Sequence, residues 1–248
     1  ATLIAQAVSA VLVTVTLMYR TEGMKLCLSQ IRMYKRMLQS ILKIGLPAGF
    51  EAIMYSISNI IVQVSINNFG VDTMAAWTAY SKIDFIFWMI NSAFGISVMT
   101  FVGQNYGAGK WDRIRRGTKI CLGMALISAV SVSIILMSAE RFLFGIFVND
   151  AGVVEIGIRM MNVIAPAYLL FAFIEVFSGA LRAQGAVVVS TLITMVGICV
   201  LRMIWVTLVA AHGTLEQVII CYPITWAAGA LAMSIYYIYK QRKIFQAR

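Results

Sequence analysis

Six apolar runs, at about 44–67, 73–102, 118–138, 153–180, 187–210 and 216–239, follow one another with only short polar connections between them. At about 1.5 Å per residue, a helix through any of them crosses a hydrocarbon core of roughly 30 Å. Nothing constrains the fold more than this. Of 248 residues, 61% are hydrophobic and 12% charged, where a soluble domain carries about 25% charged residues. No packing of one chain hides that much apolar surface from water. The expected fold is an all-α polytopic membrane protein, a six-helix transmembrane bundle preceded by the end of another helix.

The flanking segments divide the chain further. Residues 1–19 are apolar, with no Met and no basic stretch before them, so they read as the end of a helix that belongs to something longer. Residues 20–43 form a polar connector whose apolar residues Leu28, Ile31, Met33, Leu38 and Ile41 suit a helix lying along a membrane surface. The bundle spans 44–239, and 240–248 is a basic tail. The second and fourth runs are longer than a span needs, so tilt or kinks are expected near Gly95 and Pro166.

The net charge of +10 first suggests nucleic acid, but the charges cluster at the ends of apolar runs and form no surface of their own. Alternate connections, together with the tail, hold sixteen Lys and Arg, whereas the opposite connections hold Arg141 alone. Positive charge marks the cytoplasmic side. The connector 20–43, the hinge 103–119 and the C-terminus are therefore expected to be cytoplasmic, in a multi-pass protein of the plasma membrane. The four cysteines are scattered without a CxxC pair, and His212 stands alone, so neither a disulfide framework nor a metal site is indicated.

Ionisable residues at membrane depth face a protein interior or a water-filled cavity and are candidates for function. At about 100° per residue, Glu51 shares a helix face with Tyr55, Ser58, Asn59 and Ser65, with Gln63 at its edge. Asp84 shares one with Trp77, Tyr80, Ser81, Trp88, Asn91 and Gly95. Glu175 shares one with Tyr168, Phe171, Ser178 and Gly179, ending at Arg182. Rings and carboxylates together attract cations, so these stripes suit the lining of a cavity for cationic or amphipathic solutes. The plainer use of such residues is to hold helices together. Glu51 and Glu175 lie at similar depth and, if they face each other, can share a proton. Glu155 and Arg159 have the spacing of a local salt bridge.

Motifs of soluble enzymes fail. The hinge ends Gly109-Lys110-Trp111, where a P-loop needs Ser or Thr after the lysine, and a GxGxxG reading from Gly107 meets Asp112. No nucleophile–base set is present, so catalysis is not expected.

The hinge GQNYGAGKWDRIRRG (Gly103 to Gly117), with GLPAGFEAIMYSISNIIVQ (Gly45 to Gln63), SGALRAQG (Ser178 to Gly185), GICVLRMIW (Gly197 to Trp205) and YPITW (Tyr222 to Trp226), resembles the multidrug and toxic compound extrusion (MATE) transporters over essentially the whole chain. The signature residues are Gly103, Gln104, Gly107, Gly109 and Arg113. The resemblance implies the second lobe of a twelve-helix exporter that exchanges H+ or Na+ for organic cations, drugs or amphipathic solutes, with no cofactor. It implies a partner, the first lobe, and a central cavity exposed to each side in turn. In the sodium-coupled branch, the acid of this lobe's first helix stands eight residues after the proline. That place is Tyr55 here, and the fourth-helix place is Phe171. Glu51 and Glu175 each lie one turn nearer the cytoplasm.

Two other readings keep the membrane fold. A flippase for lipid-linked sugars needs a strongly cationic cavity, whereas the candidate faces carry more acids than bases. A non-transporting scaffold subunit needs only the helices.

Overall fold

The computed structural model describes residues 2–19, 26–27, 32–209 and 213–246. Arg20, Lys25, Leu28, Ile31, His212 and Arg248 lie outside them, and with them much of the expected connector helix. The chain divides into two compact units, Ala1–Lys43 and Ile44–Arg248. The first contains α1 (Thr2–Tyr19), whose apolar side chains are largely exposed, as suits a helix in lipid.

Beyond it the helices are α2 (Lys35–Asn67), α3 (Val71–Gly107), α4 (Trp111–Ser138), the short α5 (Glu140–Gly145), α6 (Ala151–Ile164) and α7 (Tyr168–Ala183). They are followed by α8 (Val187–Thr194), α9 (Leu201–Ile204), α10 (Leu215–Ile219) and α11 (Cys221–Gln246). Among the described residues, six stretches are long and apolar enough to cross a membrane: Lys35–Asn67, Val71–Gly107, Trp111–Ser138, Ala151–Ala183, Val187–Val209 and Leu215–Ile244. They coincide with the six apolar runs.

Two helix ends differ from the expected boundaries. Helix α2 is already formed at Lys35 and passes residue 43 without a break, and α11 continues through the basic residues to Gln246. Lys, Arg and Gln are good helix formers, and Lys243 in the last turn suits the negative end of the helix dipole. A change in polarity did not end either helix.

The fourth span is the hub. Of its most apolar 18-residue stretch 67% is buried, against 17% for the third, and α3, α4 and α11 all pack on α7. A 3-10 turn at Ala165–Ala167 separates α6 from α7 at Pro166, whose missing N–H and ring cannot continue an α-helix. Helix α3, by contrast, stays α-helical through Gly95. There the glycine gives room: a Cβ on Gly95 would overlap the Glu175 carboxylate, and a Cβ on Gly179 would lie 2.8 Å from the Gly95 carbonyl oxygen. Small residues let two membrane helices approach this closely.

The hinge is a helix stop. Gly109, at φ 67°, follows α3, with Lys110 N–H donating to Asn105 O at 2.9 Å and Gly109 N–H to Tyr106 O at 3.1 Å. This pair of bonds is the Schellman closure, which needs a left-handed residue. The same closure ends α7 at Gly185 (φ 79°), with Ala186 N–H bonded to Leu181 O and Gly185 N–H to Arg182 O.

Candidate functional site

Two polar clusters lie inside the second unit. The first surrounds Asp84, just over a third of the way along α3. The phenol of Tyr168 donates to Asp84 Oδ1, the indole N–H of Trp88 donates to Oδ2, and Tyr80 and Tyr168 share a hydrogen bond at 3.2 Å. Trp88 lies one helical turn after Asp84, so one face of α3 presents carboxylate and indole together. Tyr168 comes from the start of α7, its ring stacked on Phe87 at 3.9 Å.

Around this carboxylate a cavity of about 270 Å³ is lined by Asn59 and Gln63 of α2, Trp77, Tyr80, Ser81, Asp84 and Trp88 of α3, and Tyr222 and Trp226 of α11, among others. The rings brace one another: Trp77 lies 5.4 Å from Tyr80 and 5.9 Å from Tyr222, and Trp226 lies 5.6 Å from Tyr222. Phe171 packs edge-on against Trp88 at 4.7 Å and Trp226 at 5.5 Å, behind the lining. Two π-helical turns, Met195–Val200 and Trp205–Val209, flank α9, which carries Arg202. Arg202 is buried, donates from Nη1 to Asn59 Oδ1 at 3.2 Å, and lies 4.2 Å from the centre of the Tyr222 ring. It fixes two lining residues without lining the cavity itself.

The second cluster lies towards the hinge side. Arg182, in the last turn of α7, donates from Nη2 to both oxygens of Glu51, at 2.6 and 2.7 Å, and Thr191 of α8 donates to Glu51 Oε2 at 2.9 Å. Glu51 therefore spends its carboxylate on Arg182 and Thr191, and the proton shared with Glu175 that similar depth suggested is replaced by an ion pair. Glu175 and Arg182 line a separate cavity of about 150 Å³ with Gly95 and Ser178. The hydroxyl of Ser178 is held by Ser190 at 2.9 Å, joining α7 to α8.

The remaining predicted positions fall outside these groups. Tyr55 is half-buried, one turn after Glu51. Ser58 and Asn91 are buried, and Ser58 Oγ and Asn91 Nδ2 have no hydrogen-bond partner among the described residues. Glu155 pairs with Arg141 at 3.4 Å in an exposed contact, so the salt bridge expected with Arg159 is made from α5 instead. Gly103, Gln104, Gly107, Gly109 and Arg113 belong to the hinge, away from both cavities. No group of three or more His, Cys, Asp or Glu gathers to hold a metal ion among the described residues.

Sequence reasoning missed Tyr222 and Trp226 as lining, while Gln63, expected at the edge of the Glu51 face, does line it. The pair Tyr222 and Trp226, four apart in an otherwise aliphatic run, was the available signal.

A model of the MatE family matches residues 47–208, from within the first full span to the end of the fifth. The chain belongs to the MatE family. Its members are membrane transporters and not enzymes. The chain is 25% identical over 219 residues to the probable multidrug resistance protein YoeA of Bacillus subtilis, covering 86% of this chain and 47% of YoeA. It is 22% identical to the multidrug export protein MepA of Staphylococcus saprophyticus, covering 84% of this chain and 49% of MepA. The fold matches a MATE transporter of the MOP superfamily solved in an outward-facing conformation, at a TM-score of 0.88 and 16% identity, over 99% of this chain and 56% of that one. This chain thus spans about half the length of the curated relatives it matches.

Proposed function

We propose that this chain is the second lobe of a twelve-helix secondary exporter of organic cations, drugs or amphipathic solutes. It works with a first lobe by alternating access, in the plasma membrane, with its C-terminus in the cytoplasm. The observation that carries the reading is the Asp84 carboxylate set in a 270 Å³ cavity walled by Trp77, Tyr80, Trp88, Tyr222 and Trp226. A half-buried carboxylate and ring faces both attract an organic cation, and the rings supply apolar contact as well. The lining contains no Lys or Arg, which argues against an anionic pyrophosphate carrier as cargo.

Coupling to H+ or Na+ is assigned to the hinge-side cluster. Arg182 holds Glu51 while sharing a cavity with Glu175. A coupling cation or proton arriving at either carboxylate weakens the hold of Arg182, because all three charges compete at short range. The α2–α7–α8 junction then relaxes, which gives the lobe two discrete arrangements.

Efflux of a cationic dye from vesicles containing the full-length protein tests both parts. An imposed pH or Na+ gradient is expected to drive it, and Glu175→Gln to uncouple it while leaving insertion intact. Efflux indifferent to both gradients would contradict the coupling.

A further inference from the structure

Most of the polar groups that line the Asp84 cavity are already engaged. The indole N–H of Trp88 donates to Asp84, and the Tyr80 hydroxyl bonds that of Tyr168. Ser81 donates to Trp77 O at 2.8 Å, and the Gln63 amide nitrogen to Asn67 Oδ1 at 2.8 Å. Asn59 accepts from Arg202 and is itself exposed. Trp226 differs from all of these. It is 1% exposed, and its indole N–H has no hydrogen-bond partner among the described residues.

A buried tryptophan ordinarily finds an acceptor, because an N–H stripped of water and left bare is costly. The neighbours of Trp226 offer rings instead: Phe171 at 5.5 Å, Tyr222 at 5.6 Å and Trp88 at 6.1 Å. Phe171 has no acceptor atom, and the Trp88 indole is a donor only. Tyr168, 6.3 Å away, spends its hydroxyl on Asp84. Phe171 braces the same Trp88 with a plain phenyl ring, so bracing does not by itself call for an indole. Trp226 also lines the cavity, and an acceptor can reach it from there.

We propose that the solute held at Asp84 carries a neutral acceptor oxygen, a carbonyl or an ether, and that the Trp226 N–H donates to it. The inference rests on the reading of this cavity as the site of an organic cation, and narrows it. The positive centre lies against the Asp84 carboxylate, and the oxygen lies at the α11 wall. A site built to donate a hydrogen bond rejects an analogue without the acceptor, since the donor then stays buried and bare. Asp84 thereby sets affinity for any cation, and Trp226 sets which cations are preferred.

The test is equilibrium binding of two probes of matched charge and length to the purified full-length protein. Benzoylcholine carries an ester carbonyl, and (4-phenylbutyl)trimethylammonium has methylenes in its place. Trp226→Phe is expected to weaken benzoylcholine about fivefold to tenfold more than the phenylbutyl cation, because the lost ring area affects both alike. Asp84→Asn is expected to weaken both equally. If Trp226→Phe does not fold, 3-benzothienylalanine in place of Trp226, with sulfur where the N–H stands, decides the matter. Equal losses of the two probes on removal of the N–H would mean that it rests on a ring face or a water. That result would overturn the inference and, with Asp84→Asn still weakening both probes, leave the cation site standing. Binding of both probes that ignores Asp84→Asn would remove the cation site, and this inference with it.

Discussion

Arg182 grips both carboxylate oxygens of Glu51, at 2.6 and 2.7 Å, from 131 residues further along the chain. With Thr191 as the third donor, this one carboxylate ties α2, α7 and α8 together. The partners are unequally buried, with side-chain exposures of 29% for Arg182 and 10% for Glu51. That inequality makes their substitutions unequal.

Arg182→Gln leaves a buried carboxylate with only Thr191, at a cost of about 3 kcal/mol or more. Glu51→Gln leaves an arginine that reaches water, at a cost nearer 1–2 kcal/mol after allowance for that exposure. The double variant should lose less than the two single losses added together. Unfolding midpoints of the four proteins in detergent measure this. Additive losses would mean that the pair contributes no coupling energy.

The crossing of α3 and α7 makes a second ordering. Alanine at Gly95 meets the Glu175 carboxylate, the far end of a side chain that can turn into its cavity. Alanine at Gly179 meets the backbone carbonyl of Gly95, which cannot turn away without moving the helix. Gly179→Ala should therefore destabilise by about 1–3 kcal/mol more than Gly95→Ala. Unfolding midpoints in detergent again decide, and the reverse order would place the tightest contact elsewhere.

How much of this was legible beforehand follows from what lipid dictates. Six spans could be read because each apolar run must be a helix of a fixed length, and Pro166 breaks a helix whatever surrounds it. The face of Asp84 was legible because α3 is regular, so Trp77, Tyr80 and Trp88 follow from the period alone. The partners across helices were not. Arg182 closing on Glu51, Tyr168 on Asp84, and Tyr222 and Trp226 completing the cavity depend on how α2, α7 and α11 are rotated against α3, which no single helix encodes. The π turns around Arg202 left no mark in the local sequence. Gly109 read as a family signature, and its reason, a left-handed residue closing α3, appeared only with the backbone.

Orientation is tested by labelling. In a cysteine-free background of the full-length protein, Lys110→Cys in the hinge should react with a membrane-impermeant maleimide only after cells are permeabilised. Asn149→Cys, between α5 and α6, should react in intact cells. The opposite pattern would invert the topology drawn from the basic residues.

The central claim is that Asp84 and the rings around it form the site for an organic cation. Equilibrium binding of tetraphenylphosphonium to the purified full-length protein, wild type against Asp84→Asn, tests it most directly. Asparagine keeps the shape and most of the hydrogen bonding, and removes the charge. Loss of that charge should weaken binding by about tenfold or more, while the unfolding midpoint stays within a few degrees of wild type. Unchanged affinity in a folded Asp84→Asn protein would contradict the claim and leave Asp84 as a tie between α3 and α7.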